Sequence, residues 1–394
     1  MSNVVKKGTM DAGTVIAAAI IASAIGALFY NVLPIYMGTA QDYRGLDNRA
    51  IGFLSTAFFF GYNVATISAF FWIRRVSWSL VVAISTPIAA ISLAGGALLP
   101  GYVALLVTVA ISGAAFAAIY GIGTTILGDT SNPARWFGVK IAAEAMLGAL
   151  LLLVLPATTI ARWGFNGTVI GVIIAMVFLA PFLFWIPAAG TKGQEDADQI
   201  AGANKKQQSP YIWGALLALL IFFTGASAIW AFLERIGAQQ NFAPATLGVL
   251  LSITLIFALL GSLLAAALGG RFGSVRPFIA GAILTLVALF LLSTQQSFIL
   301  YAIGACLQTF VIGLLLPFAV TEVADLDTDG RYVVLSVPAI GIGAMAGPGI
   351  AGILSQSGDF AALLAFVGAA FVVAAILITV SAMRARPGAA HVRS

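Results

Sequence analysis

The sequence predicts an all-α polytopic membrane protein: twelve transmembrane helices in two six-helix repeats that share one membrane orientation. Three observations predict it. Of 394 residues, 61% are hydrophobic and only 8% are charged, whereas a soluble domain carries about 25% charged residues. The apolar residues form twelve runs, each near the ~20 residues that a membrane-spanning helix needs. Residues of matching type also recur at a fixed separation of 196 positions.

The runs lie near 12–37, 50–73, 79–99, 102–127, 137–160 and 163–187, then 211–237, 245–268, 277–295, 297–323, 332–356 and 360–383. Polar residues or glycine separate neighbouring runs, and at membrane depth only a helix satisfies its own backbone groups. Residues 188–210, with Glu195, Asp196, Asp198, Lys205 and Lys206, form the longest polar stretch. They divide an N-terminal bundle (1–187) from a C-terminal bundle with its tail (211–394). Near the start, Lys6 and Lys7 precede an apolar run in which Ala22-Ser23-Ala24 imitates a leader cleavage site. The run continues to about Met37, longer than a leader's apolar core, and is expected to be a retained first helix.

Lysine and arginine placement sets the expected orientation, because cytoplasmic loops accumulate both. With the N-terminus inside, the inner face receives Lys6, Lys7, Arg74, Arg75, Arg135, Lys140, Lys192, Lys205, Lys206, Arg271, Arg276, Arg331, Arg384, Arg386 and Arg393. The outer face receives only Arg44, Arg49, Arg162 and Arg235. Both termini are therefore expected in the cytoplasm, on a multi-pass protein of the cytoplasmic (inner) membrane.

The composition also removes functions. One cysteine (Cys306) and one histidine (His391) exclude a disulfide framework, a Cys/His metal site and a Ser-His-Asp triad. The net charge of +5 is scattered beside apolar runs, as topology signals are, and does not form a nucleic-acid patch. No G-x-x-x-x-G-K-[ST] loop offers a nucleotide site. No cofactor is implied, and the expected partners are the bilayer, a solute and protons, around a monomer.

The repeat rests on three regions. Ile51-Gly52-Phe53-Leu54 recurs as Leu247-Gly248-Val249-Leu250, Arg75 as Arg271, and Asp129 with Arg135-Trp136 as Asp325 with Arg331-Tyr332, all 196 apart. Because six helices return the chain to its starting side, the copies point the same way. Such parallel repeats enclose a central cavity about an axis normal to the membrane.

This organisation resembles the major facilitator superfamily of secondary transporters. The family's loop after the second helix typically reads G-x-x-x-D-R-x-G-R. Here Ala69 to Ser77 retains Arg74 and Arg75 without the acid, and Gly270-Arg271-Phe272-Gly273 is the second copy. The resemblance implies another cytoplasmic latch, for which Asp129 with Arg135 and Asp325 with Arg331 are the candidate pairs, beside Arg75 and Arg271 in the gate. Gly343-Ala344-Met345-Ala346-Gly347-Pro348 matches the family's exporter motif but falls in the eleventh run rather than the fifth. Close helix packing through small residues explains it.

An ionisable residue at membrane depth is expected to be functional. Glu144 lies nine residues beyond Arg135, about 13 Å deeper along a helix and near the midplane. Desolvation there favours the protonated form, which suits proton coupling. The alternative is a structural pair with Lys140, one turn earlier, although Lys140 lies only ~7.5 Å deep and can snorkel to the surface. Glu234 and Arg235 end the seventh run, where they are expected at the outer mouth; Ser227, Trp230 and Glu234 share a face that suits a cavity wall or an interfacial belt, and Glu234 is the second proton-coupling candidate. Tyr30, Asn31, Asn63, Tyr120, Thr124, Gln308 and Thr309 sit within apolar runs. The resemblance places runs 1, 4, 7 and 10 around the central cavity, which favours Tyr30, Asn31, Tyr120, Trp230 and Gln308 as solute contacts, with Asn63 beside them. The acidic stretch Glu322, Asp325, Asp327, Asp329 reads as a solvated gate loop.

The resulting expectation is a proton-coupled secondary transporter of a small organic, aromatic or amphipathic solute, importing rather than exporting. A drug/proton antiporter is the alternative, and a structural or partner-docking membrane protein is the non-transport alternative. A channel would need a continuous polar pore. A membrane enzyme would need a clustered acid/base or metal constellation, which a single deep acid does not supply.

Overall fold

The computed structural model describes residues 10–189, 211–294, 297–327 and 332–385. Among the described residues, twelve helices are long and apolar enough to cross a membrane. They are α1 (Gly13–Arg44), α2 (Asn48–Trp72), α3 (Trp78–Leu98), α4 (Tyr102–Gly128), α5 (Pro133–Ala157), α6 (Thr159–Leu179), α7 (Ile212–Gln239), α8 (Pro244–Leu268), α9 (Val275–Ser293), α10 (Phe298–Leu326), α11 (Ser336–Leu354) and α12 (Ala361–Ala385). Short 3-10 turns extend α6 over Ala180–Trp185 and precede α11 over Val333–Leu335. No strand occurs among the described residues. Large apolar side chains remain exposed around the helices, among them Phe184 (90%), Leu98 (79%) and Phe178 (77%). Such a surface suits hydrocarbon rather than water.

Local chemistry sets the ends. Asp47 caps α2 by accepting from the Ala50 amide at 2.7 Å, and Asn132 caps α5 through the Arg135 amide at 3.2 Å, with Pro133 in the first turn. These side chains satisfy amides that a helix start leaves without partners. Gly164 interrupts α6 at φ 53°, ψ −129°. That backbone region needs glycine, and a Cβ there would also lie 2.6 Å from the Tyr43 ring.

The helices form two compact units. The first comprises the described part of residues 1–202 together with Pro244–Ser252; the second holds the rest. The sequence expectation drew a single cut at the polar linker 188–210, most of which lies outside the described residues. By contacts, the start of α8 instead joins the first unit, where a Cβ on Gly248 would come 2.6 Å from the Leu152 carbonyl.

In the first unit α1 is the central helix. Its most apolar stretch is 78% buried, against 33–50% for α2 to α6. It packs on α4, α5 and α6, while α3 packs on α4 and α6. Phe29 of α1 forms its aromatic core, with ring centroids 4.8 Å from Tyr36 and Phe58 and 5.9 Å from Phe116. One end of the unit is tied by Arg44, which donates to the Ala97 carbonyl and lies 4.9 Å from the Phe165 ring. At the other end Asp11 accepts from the Ser131 amide and hydroxyl, both at 2.9 Å. The helices therefore run alternately up and down.

The second unit repeats this plan. Its central helix α7 is 72% buried over its apolar stretch and packs on α10, α11 and α12, with α9 on α10 and α12. Phe222 of α7 meets Phe371 at 5.2 Å and Phe278 at 5.9 Å. Adding 196 to the bounds of α2 gives 244–268, the bounds of α8.

The crossings inside the units follow a different offset. A Cβ on Gly61 would strike the Ala110 carbonyl, and one on Gly113 the Phe58 carbonyl, where α2 crosses α4. In the second unit the same collisions pair Gly261 with Phe310 and Gly313 with Ala258. These positions are 200 apart, so the glycine contacts have moved by four residues. Residues i and i+4 share a helix face, which allows the shift without turning either helix away from its neighbour.

Candidate functional site

Within the first unit α5 carries a buried ion pair. Lys140 Nζ lies 2.8 Å from Glu144 Oε1, and the two residues are 3% and 5% exposed. Their i,i+4 spacing puts both on one face of the helix. Lys140 also donates to the Tyr120 hydroxyl at 2.7 Å and sits 4.0 Å from the centre of that ring. The ammonium is thus held between an acid on its own helix and a phenol from α4. Lys140 does not turn to the surface, which corrects the snorkelling expectation: the desolvated carboxylate and the phenol hold it inside.

Backbone approach builds the rest. A Cβ on Gly26 of α1 would lie 2.5 Å from Tyr120 Cβ, so α1 and α4 meet closely beneath that tyrosine. Gly148 gives Asn31 its place, since a Cβ there would be 2.7 Å from Asn31 Cβ. The Asn31 amide donates to the Glu144 carbonyl at 3.1 Å and locks α1 to α5 at the pair. Tyr30, Tyr62 and Tyr120 all lie within electrostatic range of Glu144. Tyr62 and Tyr120 rings stand 6.1 Å apart, and each of the three tyrosines keeps part of its surface exposed. Tyr30, Asn31, Tyr120 and Glu144 therefore gather in one place. From α2 it is Tyr62, which sequence reasoning missed, that meets Tyr120; Asn63 is half-buried one position along. Thr124 is half-buried one turn beyond Tyr120.

The latch expectation changes in detail. Asp129 pairs with Arg74, at 2.5 and 2.8 Å through both guanidinium nitrogens, and its side chain is fully buried. Arg135 instead lies exposed at the start of α5, 4.9 Å from the Trp136 ring. Arg75 is not the Asp129 partner, because the turn after α2 presents Arg74 to the end of α4. The position 196 after Arg74 is Gly270, so this pair has no arginine counterpart in the second unit. There Arg271 and Asp325 are both exposed, and Arg331 lies outside the described residues. Asp327 accepts from the Tyr332 and Val333 amides at 2.8 and 2.7 Å, capping the turn before α11.

The second unit holds another buried pair. Arg235 donates to both carboxylate oxygens of Glu234, at 2.5 and 2.8 Å, and the residues are 7% and 6% exposed. Their place near the end of α7 matches expectation, but their burial does not. Tyr301 of α10 donates to the Leu233 carbonyl, and Phe242 packs 5.5 Å from the Tyr301 ring, which together cover that end. The expected cavity face is also corrected at Ser227. Its hydroxyl is buried and donates to the Gly343 carbonyl of α11 at 3.0 Å. The glycine motif of α11 serves this packing, since a Cβ on Gly343 would lie 2.7 Å from the Leu220 carbonyl. Trp230 is half-buried.

The fold has known relatives. The chain superposes on a D-xylose-proton symporter with TM-score 0.75 and 13% identity, covering 93% of this chain and 96% of that one. It superposes on the nucleoside transporter NupG with TM-score 0.68 and 15% identity, covering 93% and 98%. A structure of a proton dependent oligopeptide transporter gives TM-score 0.69 and 11% identity, covering 96% and 98%. No curated protein matches the sequence. The sequence profile described as Major Facilitator Superfamily matches residues 215–394. Over those residues, most of the second unit, the chain is similar to the major facilitator superfamily.

Gln308 has an unusual environment. It is 0% exposed on α10, and neither amide atom has a hydrogen-bond partner among the described residues. Thr309 beside it bonds the Ala305 carbonyl at 3.0 Å. A buried polar group left without partners costs about 1–3 kcal/mol. Gln308→Leu, of similar volume, is therefore expected to stabilise the purified protein by that amount, read as a higher melting temperature. A lower one would show that the amide is satisfied.

Proposed function

We propose that this protein is a member of the major facilitator superfamily, a proton-coupled secondary transporter that carries a small organic solute, aromatic or amphipathic, across the cytoplasmic membrane by alternating access, in the direction of import. In this reading two repeats, divided at the 188–210 linker, work as a monomer with both termini in the cytoplasm. The observation that carries the proposal is the Lys140–Glu144 pair, buried in α5 with Tyr120 against it. As an ion pair the two groups sum to zero charge. Protonating Glu144 leaves a buried ammonium with a phenol as its remaining polar neighbour, and breaking a buried pair costs about 3–5 kcal/mol. A proton therefore binds favourably only when something else compensates Lys140. That requirement links proton and solute: neither state of the pair is cheap half-filled, so each ligand favours the other.

Tyr30, Tyr62 and Tyr120 supply the aromatic surface for the solute, with Asn31 as a rigid brace rather than a direct contact, because its amide is already committed to Glu144. Within the second unit, Trp230 and Gln308 are the solute-contact candidates and Glu234 is the further proton-coupling candidate. Arg74–Asp129 acts as the latch at the cytoplasmic end of the first unit.

Proteoliposomes with a trapped pH dye test it. A panel of small organic solutes added outside is expected to contain at least one that acidifies the lumen with the wild-type chain. Glu144→Gln should abolish that signal while leaving solute exchange. A solute-driven proton signal unchanged by the substitution would remove Glu144 from the coupling, and outward movement against the proton would make the protein an antiporter.

A further inference from the structure

The charge balance of the α5 pair also points to what the solute must carry. We propose that the transported solute is an aromatic monocarboxylate, with Lys140 as its anion anchor and Tyr120 as its second donor. The inference rests on the proton-coupled reading above and adds the substrate class.

Lys140 has two polar neighbours, the Glu144 carboxylate at 2.8 Å and the Tyr120 hydroxyl at 2.7 Å. When a proton adds to a Glu144 carboxylate oxygen, the ammonium keeps its charge and loses its counterion. A solute carboxylate restores what was lost, since it offers the same two oxygens to the same amine. The Tyr120 hydroxyl accepts from Lys140, and its own hydrogen remains for the solute's second oxygen. No bond other than O–H forms, the amine stays protonated, and the loaded site is as neutral as the empty one. A neutral amide or sugar leaves the ammonium uncompensated, and a cation adds to it.

The surroundings set the anion's valence and body. The titratable groups facing Glu144 are Lys140 on its own helix, Tyr30 on α1, Tyr62 on α2 and Tyr120 on α4. Of the other helices against α5, α6 carries only Arg162, exposed in its first turn, and α8, which meets α5 at Gly248, carries no titratable residue. One ammonium matches one negative charge; a phosphate or dicarboxylate would bring a second charge with nothing to meet it. The Tyr62 and Tyr120 rings stand 6.1 Å apart and both keep part of their surface exposed, so the rings beside the anchor offer an aromatic surface suited to a planar apolar body.

The test uses the purified full-length chain and matched pairs: benzoate with benzamide, phenylacetate with phenylacetamide, and indole-3-acetate with indole-3-acetamide. Melting temperature against ligand concentration gives affinity, and pH change in weakly buffered detergent solution gives protons taken up. At least one acid is expected to bind ten-fold or more tightly than its amide, with about one proton taken up per acid bound. Lys140→Gln should remove the preference for the acid. Glu144→Gln should keep the preference and lose the proton uptake. Should either single variant not fold, the double variant Lys140→Gln/Glu144→Gln, which strands neither charge, should bind acid and amide alike. Amides binding as well as acids, no acid binding at all, or an acid preference that survives loss of Lys140 would overturn the assignment. If an amide binds with proton uptake that Glu144→Gln removes, the carboxylate is wrong and proton coupling stands. If acids bind without proton uptake, the anchor stands and the coupling is wrong.

Discussion

Lys140→Met and Glu144→Gln, made singly, each destabilise the protein by about 3–5 kcal/mol, and combining them recovers most of that loss. The reason is asymmetry. Each single change strands the opposite charge where the pair is 3% and 5% exposed, whereas the double change leaves no charge to desolvate. Unfolding of the four proteins in one detergent gives the coupling directly as a double-mutant cycle. Additive losses would mean that the two groups are solvated separately and that proton and solute binding are not linked through them. Transport should follow a different pattern from stability: the double variant refolds the site but has neither proton acceptor nor ammonium, so solute-driven proton movement stays absent.

The second large effect concerns the helix crossings. Gly113→Ala and Gly313→Ala are expected to destabilise their units to a similar degree, at the upper end of the 1–3 kcal/mol typical of overpacking, or beyond it. In both cases the new methyl meets a backbone carbonyl, that of Phe58 or of Ala258, and not the movable end of a side chain. Gly138, near the start of α5, has nothing within 4 Å of its Cβ position and is the control; Gly138→Ala should be neutral or slightly stabilising. The measurement is the melting temperature of each variant. Two crossing glycines that tolerate alanine as well as Gly138 does would mean that these helices separate freely.

The helices were legible because apolarity is a count over twenty residues, and membrane depth enforces helix wherever that count is met. Run boundaries fell within a few residues of the helix ends at α2, α3, α4 and α8, for example 245–268 against Pro244–Leu268. The first run was read too short, ending near 37 where α1 continues to Arg44, because Thr39, Gln41 and Asp42 look like loop. Glu144 was legible by depth alone.

What the sequence could not settle was direction. Lys140 is long enough to reach either the surface or the acid, and the choice is made by Tyr120, twenty residues away on another helix. The sequence paired Asp129 with Arg135, six residues on, while the turn that follows α2 gives Asp129 to Arg74. Glu234 and Arg235 looked like interfacial charges because Tyr301, which covers that end of α7, is far along the chain. The glycine crossings were hidden for a related reason. Loop residues keep the offset of 196, but the packing of α8 on α10 has slipped by four, and no single offset describes both.

That slip makes the two copies unequal levers. Gly61 lies 13 residues into α2 and Gly261 lies 17 into α8; Gly113 lies 11 into α4 and Gly313 lies 15 into α10. Measured from the fulcrum where each pair is pinned, the leading arms of the later copy are longer by about 6 Å. Within each unit, the same angular swing about its crossing would carry the leading tips of α8 and α10 farther than those of α2 and α4.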